Sequence, residues 1–299
     1  MLLVFVILLA ILAATVQNFT SAENIKGLLM SVFMVGMIAC TMLFCLAAGD
    51  FDLSVGSTFA LAGVLSALII SKTGSFFYAI SAGIAAGALV GLVNGFVIAK
   101  IGINALITTL ATMQIVRGVA LLATDATSIG IFDASFGKLG KSQFLGIQSP
   151  VWIMILSFIV FGLLLNKTVF GRNTLAIGGN AEAACLAGVK VARSKIVIFM
   201  LQGMMAAFAG IVLASYVTTA QPNVGQGLEL QVISACVLGG VSLTGGIGTI
   251  SGMIVGVLIM GTVQNAMNLK NIEPFWQLVV SGLILLAAVM LDKLKTKGV

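Results

Sequence analysis

The stretch "SVFMVGMIACTMLFCLAAGDFDLSVGSTFALAGVLSALII", residues 31–70, decides the fold. Two apolar runs, each near the length that crosses a bilayer, are parted only by "AGDFDLSVGS" at 48–57, where Asp50 and Asp52 stand two residues apart. The same pattern of long apolar runs and short polar gaps continues along the chain. Of its 299 residues, 60% are hydrophobic and 8% charged, and the mean hydropathy is +1.20. A soluble domain carries about a quarter charged residues, so most of this chain sits in lipid.

Ten spans are expected, at 1–17, 27–47, 54–71, 76–98, 105–123, 151–165, 196–216, 228–241, 248–267 and 275–291. The runs at 151–165 and 228–241 are short and are expected to extend into their flanks. The fold class is therefore an all-α integral membrane protein, a polytopic bundle of about ten transmembrane helices forming a single domain over 1–299. The opening "MLLVFVILLAILAATVQ" has no basic n-region and is followed by many further apolar segments, so it reads as a first span rather than a signal peptide. A chain that starts inside a span, with no basic arm before it, points to an N-terminus that is incomplete or assigned too late.

An even number of spans puts both termini on one side. With the N-terminus inside, the cytoplasmic gaps hold Lys100, Lys167, Arg172, Lys190, Arg193, Lys195, Lys293, Lys295 and Lys297, against Lys26, Lys72, Lys138, Lys141 and Lys270 outside. The excess favours cytoplasmic termini. The net charge of +6 is thus a topology signal. It lacks the clustered basic face that nucleic-acid binding needs. Cys40, Cys45, Cys185 and Cys236 form no C-x-x-C pair and the chain has no His, so neither a disulfide framework, a metal site nor imidazole chemistry is indicated. Spans at 83–95 and 245–261 repeat small residues about every four positions, which lets helix backbones touch, within the chain or against a partner.

The least apolar segment is "NKTVFGRNTLAIGGNAEAACLAGVKVARSK", 166–195. Gly178–Gly179 read as a turn, Asn180 as an N-cap, Glu182 as an acidic first-turn residue and Gly188 as a stop. The result is a cytoplasmic helix of about two turns, too short to stand alone in water. Either it caps the bundle or it docks into a cytoplasmic partner.

Asp52 precedes Leu53, Ser54, Val55 and Gly56, where its carboxylate is placed to accept backbone N–H bonds as the next helix begins. Asp50, Asp52, Ser54 and Gly56 are accordingly read as a helix cap, with a moving gate as the alternative. Arg117 lies near the outer end of its span, either snorkelling to the interface or facing a central path. Glu229 suits a helix N-terminus. Neutral polar residues in or beside spans, Asn94, Thr108, Thr109, Gln114, Gln264, Asn265 and Asn268, fit either a path for an uncharged, hydroxyl-rich solute or hydrogen bonds between helices. No G-x-x-x-x-G-K-[ST] phosphate loop is present, so any energy from ATP comes from a partner, and no cofactor is expected on this chain.

Three long motifs resemble, in order, the permease subunits of ABC sugar importers of the ribose and arabinose type: "DFDLSVGS", "GGNAEAACLAGV" and "QPNVGQGLELQVISACVLGGVSLTGG" at 221–246. "FGRNTLAIGGN" and "INALITTLATMQIVRG" look closest to the L-arabinose branch. The resemblance covers nearly the whole chain. It implies that the loop helix is a coupling helix seated in a groove of a separate ATPase subunit, with Asn180, Glu182, Ala183, Ala184, Leu186 and Gly188 as the coupling residues. Cys185 stands where relatives often carry a basic residue. The resemblance further implies a monosaccharide substrate, ABC ATPase partners, a periplasmic sugar-binding protein on outer loops such as 124–150 and 217–227, a second permease copy and an inner-membrane location. The rival is a secondary transporter coupling sugar to protons through Asp50, Asp52 or Glu229.

Overall fold

The computed structural model of the chain describes residues 1–297, with side chains as far as Met290, and holds thirteen α-helices among them. Lys293, Lys295 and Lys297 of the charge tally have side chains outside those described. Helices α1 (Leu2–Thr15), α2 (Ala22–Ala47), α3 (Val55–Thr73), α4 (Phe76–Phe96) and α5 (Ala105–Leu122) come first. A π-helical turn, Val97–Ile101, prolongs α4 and closes on the left-handed Gly102. A surface helix α6 (Ala134–Lys141) precedes α7 (Ser149–Lys167), and α8 (Val169–Gly179) and α9 (Ala181–Leu186) lie between α7 and α10 (Val191–Val217). Then follow α11 (Leu228–Leu238), α12 (Ile250–Leu269) and α13 (Pro274–Lys297).

Every expected span corresponds to a helix. The run at 151–165 extends at both ends, with Pro150 in the first turn of α7 where its missing N–H costs nothing. Among the described residues, seven helices are long and apolar enough to cross a membrane, namely α2, α3, α4 with its π turn, α5, α7, α10 and α12. The run at 228–241 differs from expectation: instead of extending, it holds only the 11 residues of α11, about 16 Å of helix. Its remainder turns away through the left-handed Gly240. The Gly178–Gly179 turn is also corrected. Both residues belong to α8, an unanticipated helix that starts on Thr168, whose hydroxyl accepts from the Gly171 N–H.

The core is built around α2, which starts on Ser21 as its cap and is buried throughout its last twelve residues. Helices α7, α10, α11 and α12 pack around it. Cys40, Cys45 and Cys236 are buried there and Cys185 is exposed. The two stripes of small residues pack within the chain. In α4, Gly87, Gly91 and Gly95 meet Gly203, Phe199 and Ile196 of α10 so closely that a Cβ at any of them would strike backbone. In α12, Gly252 and Gly256 meet Gly239 and Ala235 in the same way.

At the end of the bundle opposite α8 and α9, two small antiparallel pairs form. Strand β1 (Ile129–Gly130) pairs with β4 (Thr219–Ala220), and β2 (Gln143–Phe144) with β3 (Ile147–Gln148). Asp133 caps α6 through the Phe136 N–H. Ser215 of α10 anchors this helix by accepting from the Gly140 N–H and donating to the Phe136 carbonyl.

Candidate functional site

Helix α9 forms as its residues dictate. The Asn180 side chain accepts the Ala183 N–H at 2.9 Å, Glu182 lies in the first turn, and Gly188 takes φ +88°. The Gly188 N–H then reaches the Cys185 carbonyl and the Val189 N–H the Ala184 carbonyl, a C-terminal closure that needs the left-handed residue. Ala184 alone of the six helical residues is buried, against the bundle. Glu182, Ala183, Cys185 and Leu186 point outward, and Leu186 is 86% exposed. An unsupported helix of six residues presenting a leucine and a thiol to water is an unfinished packing surface.

Behind α9 the bundle is clasped. Gly178 lies so close to the Ala47 carbonyl and the Gly246 N–H that a Cβ would collide with both. Gly246 donates to the Ala47 carbonyl at 2.9 Å. The ends of α2 and α8 and the turn after α11 thus share one contact. Beside it, Lys195 in the first turns of α10 pairs with Asp50 at 2.7 Å, with 20% and 11% side-chain exposure.

Asp52 is 1% exposed. Its Oδ1 accepts from the Ser54 N–H at 2.9 Å and the Ser54 hydroxyl at 2.6 Å, so it closes a turn just before α3 rather than bonding inside the helix. Ser54 in turn accepts from Asn94 Nδ2 at 3.0 Å, and Asn94 Oδ1 accepts from Thr112 at 2.6 Å. This relay runs from the α2–α3 turn through α4 to α5. Burial pushes the Asp52 carboxyl up to about 6, against the opposing pull of the two Ser54 hydrogen bonds. Gly56 follows, packed so tightly on the Gly225 carbonyl and beside Glu229 that no side chain fits.

That contact shows how the chain enters α11. From β4 at one end, residues 221–227 run irregularly down along α3 to meet its first turn at Gly56, with Gly225 and Gly227 left-handed. Arg117 neither snorkels nor stands open to a central space. Its Nη1 donates to the Pro222 and Val224 carbonyls, the latter at 2.8 Å, supplying bonds that irregular backbone lacks inside a membrane.

The other polar residues separate into two groups. Thr108 and Thr109 are buried and bond back to the Asn104 and Ala105 carbonyls of their own helix. Asn265 exchanges two hydrogen bonds with Asn24 of α2, at 3.0 and 2.9 Å. Asn268 accepts from Gln277. Asn265 and Asn268 thus join helix to helix, whereas the two threonines are satisfied within α5. Gln114 is exposed, and so are Gln221, Asn223 and Gln226 on the irregular segment. Sequence reasoning missed Thr112, Asn24 and the three amides of 221–227, although the turn residues of "QPNVGQG" signal a broken span.

The family described as "Branched-chain amino acid transport system / permease component" matches residues 24–289. The chain is 60% identical to the L-arabinose transport system permease protein AraH of Escherichia coli over 298 residues, 100% of this chain and 91% of that protein. It is 53% identical to the L-arabinose ABC transporter permease protein AraH of Azospirillum brasilense, covering 97% and 86%. With the ribose import permease protein RbsC of Bacillus subtilis the identity is 43%, covering 97% and 91%. No solved structure matches. A chain of membrane-length helices matched from end to end by transport permeases belongs to the family of branched-chain amino acid transport system permease components.

Proposed function

We propose that this chain is the membrane-spanning subunit of an ATP-binding-cassette importer that carries a monosaccharide, L-arabinose or another pentose, across the bacterial inner membrane. Relatives named for L-arabinose and ribose support the sugar. The single observation that carries the coupling is α9, whose outward residues Glu182, Ala183, Cys185 and Leu186 have no cover among the described residues. Two copies of the chain would each offer one α9 to one ATPase subunit. Both termini lie on the cytoplasmic side with α9, following the excess of basic residues there.

The clasp gives the stroke a route. Closure of the ATPases on ATP displaces α9, and Val189 and Lys190 pass the displacement directly into α10. Lys195 carries it to Asp50 and the α2–α3 turn. The Asp52–Ser54–Asn94–Thr112 relay extends it to α4 and α5. At the opposite end, the loop 124–150 and the β4 end of the loop 217–227 receive a sugar-loaded periplasmic binding protein. Phe132, Phe144 and Leu145 there are exposed at 98%, 64% and 77%, apolar groups that a docking partner would cover. The chain binds no cofactor and transforms no substrate; ATP is hydrolysed by the partner.

The proton-coupled alternative would need a carboxylate free to load and unload protons. Asp50 is held by Lys195, and no specific observation favours that reading. Co-purification with the candidate ATPase, followed by ATP hydrolysis with sugar-loaded binding protein, tests the proposal. A stable complex whose hydrolysis rises several-fold when the binding protein is added is expected. Absence of any complex with the ATPase overturns it.

A further inference from the structure

We propose that residues 221–227 form a wall of the sugar path, with the side-chain amides of Gln221, Asn223 and Gln226, flanked by Gln114 of α5, as the groups that hydrogen-bond the passing sugar. The inference rests on the sugar-permease reading above.

The position of the segment is fixed at both ends. Thr219–Ala220 pairs with Ile129–Gly130 beside α6 at one end of the bundle. Thr219, Ala220 and Val224 lie beside Phe59, Ala60 and Gly63 in the first half of α3, and Gly225 packs on Gly56 in its first turn. The segment therefore lies beside the first half of a membrane-length helix as non-helical backbone. Such backbone is tolerated at membrane depth only where protein buries it or water lines it.

One side of the segment is buried in protein. Val224 lies with Phe59, Gly63, Gly210 and Leu213 around a small cavity of about 150 Å³, Pro222 is buried, and Arg117 holds the carbonyls of Pro222 and Val224. The other side is not. Gln221 and Asn223 flank the buried Pro222 and are exposed, and after the left-handed Gly225 the side chain of Gln226 is exposed as well, along a run of turns from 222 to 227. Gln114, one turn before Arg117 on α5, is also exposed. None of these four amides hydrogen-bonds another described residue. Against lipid, each unpaired amide would carry the full penalty of a desolvated polar group. The face is therefore wet or polar in the working protein.

The chemistry of the strip selects the solute. Each amide offers two donors and an acceptor with no net charge, which suits hydroxyls presented as both donor and acceptor. An anionic or zwitterionic solute would need a counter-charge, and the nearest cation, Arg117, is engaged with two backbone carbonyls. An uncharged polyol needs none.

The test places single cysteines at Asn223→Cys, Gln226→Cys and, as an apolar control on exposed α5 surface, Ile115→Cys, in the complex with ATPase and binding protein in proteoliposomes. A charged, membrane-impermeant methanethiosulfonate is added, and modification is read peptide by peptide by mass, which separates native Cys185. Cysteines at 223 and 226 are expected to react about tenfold or more faster than at 115. Asn223→Ala and Gln226→Ala are expected to lower sugar uptake about tenfold while binding-protein-stimulated ATP hydrolysis persists, and Asn223→Gln to restore part of the uptake. If wild type takes up sugar with ATP but 223 and 226 react no faster than 115, or form disulfides between two copies, the path assignment is wrong and the permease reading stands. If wild type shows no ATP-driven sugar uptake, both fall.

Discussion

Lys195 Nζ lies 2.7 Å from Asp50 Oδ2, joining the first turns of α10 to the turn between α2 and α3. The two residues are 145 positions apart in the chain, yet this pair links the helix that follows α9 to the segment that opens α3. Both side chains are mostly buried, so losing either partner leaves a poorly solvated charge, at a cost of about 1–3 kcal/mol. Asp50→Asn and Lys195→Met are each expected to cut ATP-driven uptake several-fold while α9 still binds the ATPase. The exchanged pair, Asp50→Lys with Lys195→Asp, is expected to recover part of that loss. A double variant no better than the sum of the singles would show that the two side chains are not coupled.

Leu186 is exposed and makes no use of its side chain within the bundle. Leu186→Asp is expected to leave the thermal unfolding midpoint in detergent unchanged. It should weaken ATPase association about tenfold or more, the scale of a central apolar contact at an interface. Equal affinity for wild type and variant in a pull-down titration would show that this face of α9 is not the docking surface.

Gly178 tests the clasp. A Cβ there meets the Ala47 carbonyl and the Gly246 N–H, backbone that cannot swing aside. Gly178→Ala is expected to destabilise the protein by about 1–3 kcal/mol through overpacking. Gly179→Ala, one residue on and in open space, is expected to have little effect. Melting curves of the two variants side by side make the comparison.

The Asp52 carboxyl is pushed up to about 6 by burial, so between its ordinary value near 4 and about 6 the folded protein binds more protons than the unfolded chain. Its contribution to stability is therefore full below about pH 4, declines as pH rises to about 6, and is flat above. Asp52→Asn keeps an oxygen to accept from Ser54 and removes the charge. It is expected to flatten that part of the pH profile and to be at least as stable as wild type at pH 7.5. A profile identical to wild type between pH 4 and 6 would show that Asp52 does not titrate there.

Much of this was legible in the sequence for local reasons. Apolar runs of about 20 residues mark helices, and Asn180 with Gly188 brackets α9, because caps act within a few residues of themselves. Helix α8 was not legible. Gly171, Gly178 and Gly179 weaken helix propensity, and the helix stands because Thr174 and Ile177 are buried and Gly178 fits under Ala47. The break before α11 was legible, but its packing along the first half of α3 was not, because hydropathy reports composition and not where a non-helical segment lies in the bundle. Asn94 with Thr112, Asn24 with Asn265 and Arg117 with Pro222 are pairings between helices, set by packing that no local pattern encodes.

The most direct measurement is uptake of labelled L-arabinose into proteoliposomes holding this chain, its ATPase and the binding protein. One arm has ATP inside the vesicles and no ion gradient, and the other has an imposed proton gradient and no ATP. Uptake that requires both ATP and binding protein, and is lost in Leu186→Asp, is the predicted result. Uptake driven by the proton gradient alone would contradict the account and return Asp50, Asp52 and Glu229 to the centre of the mechanism.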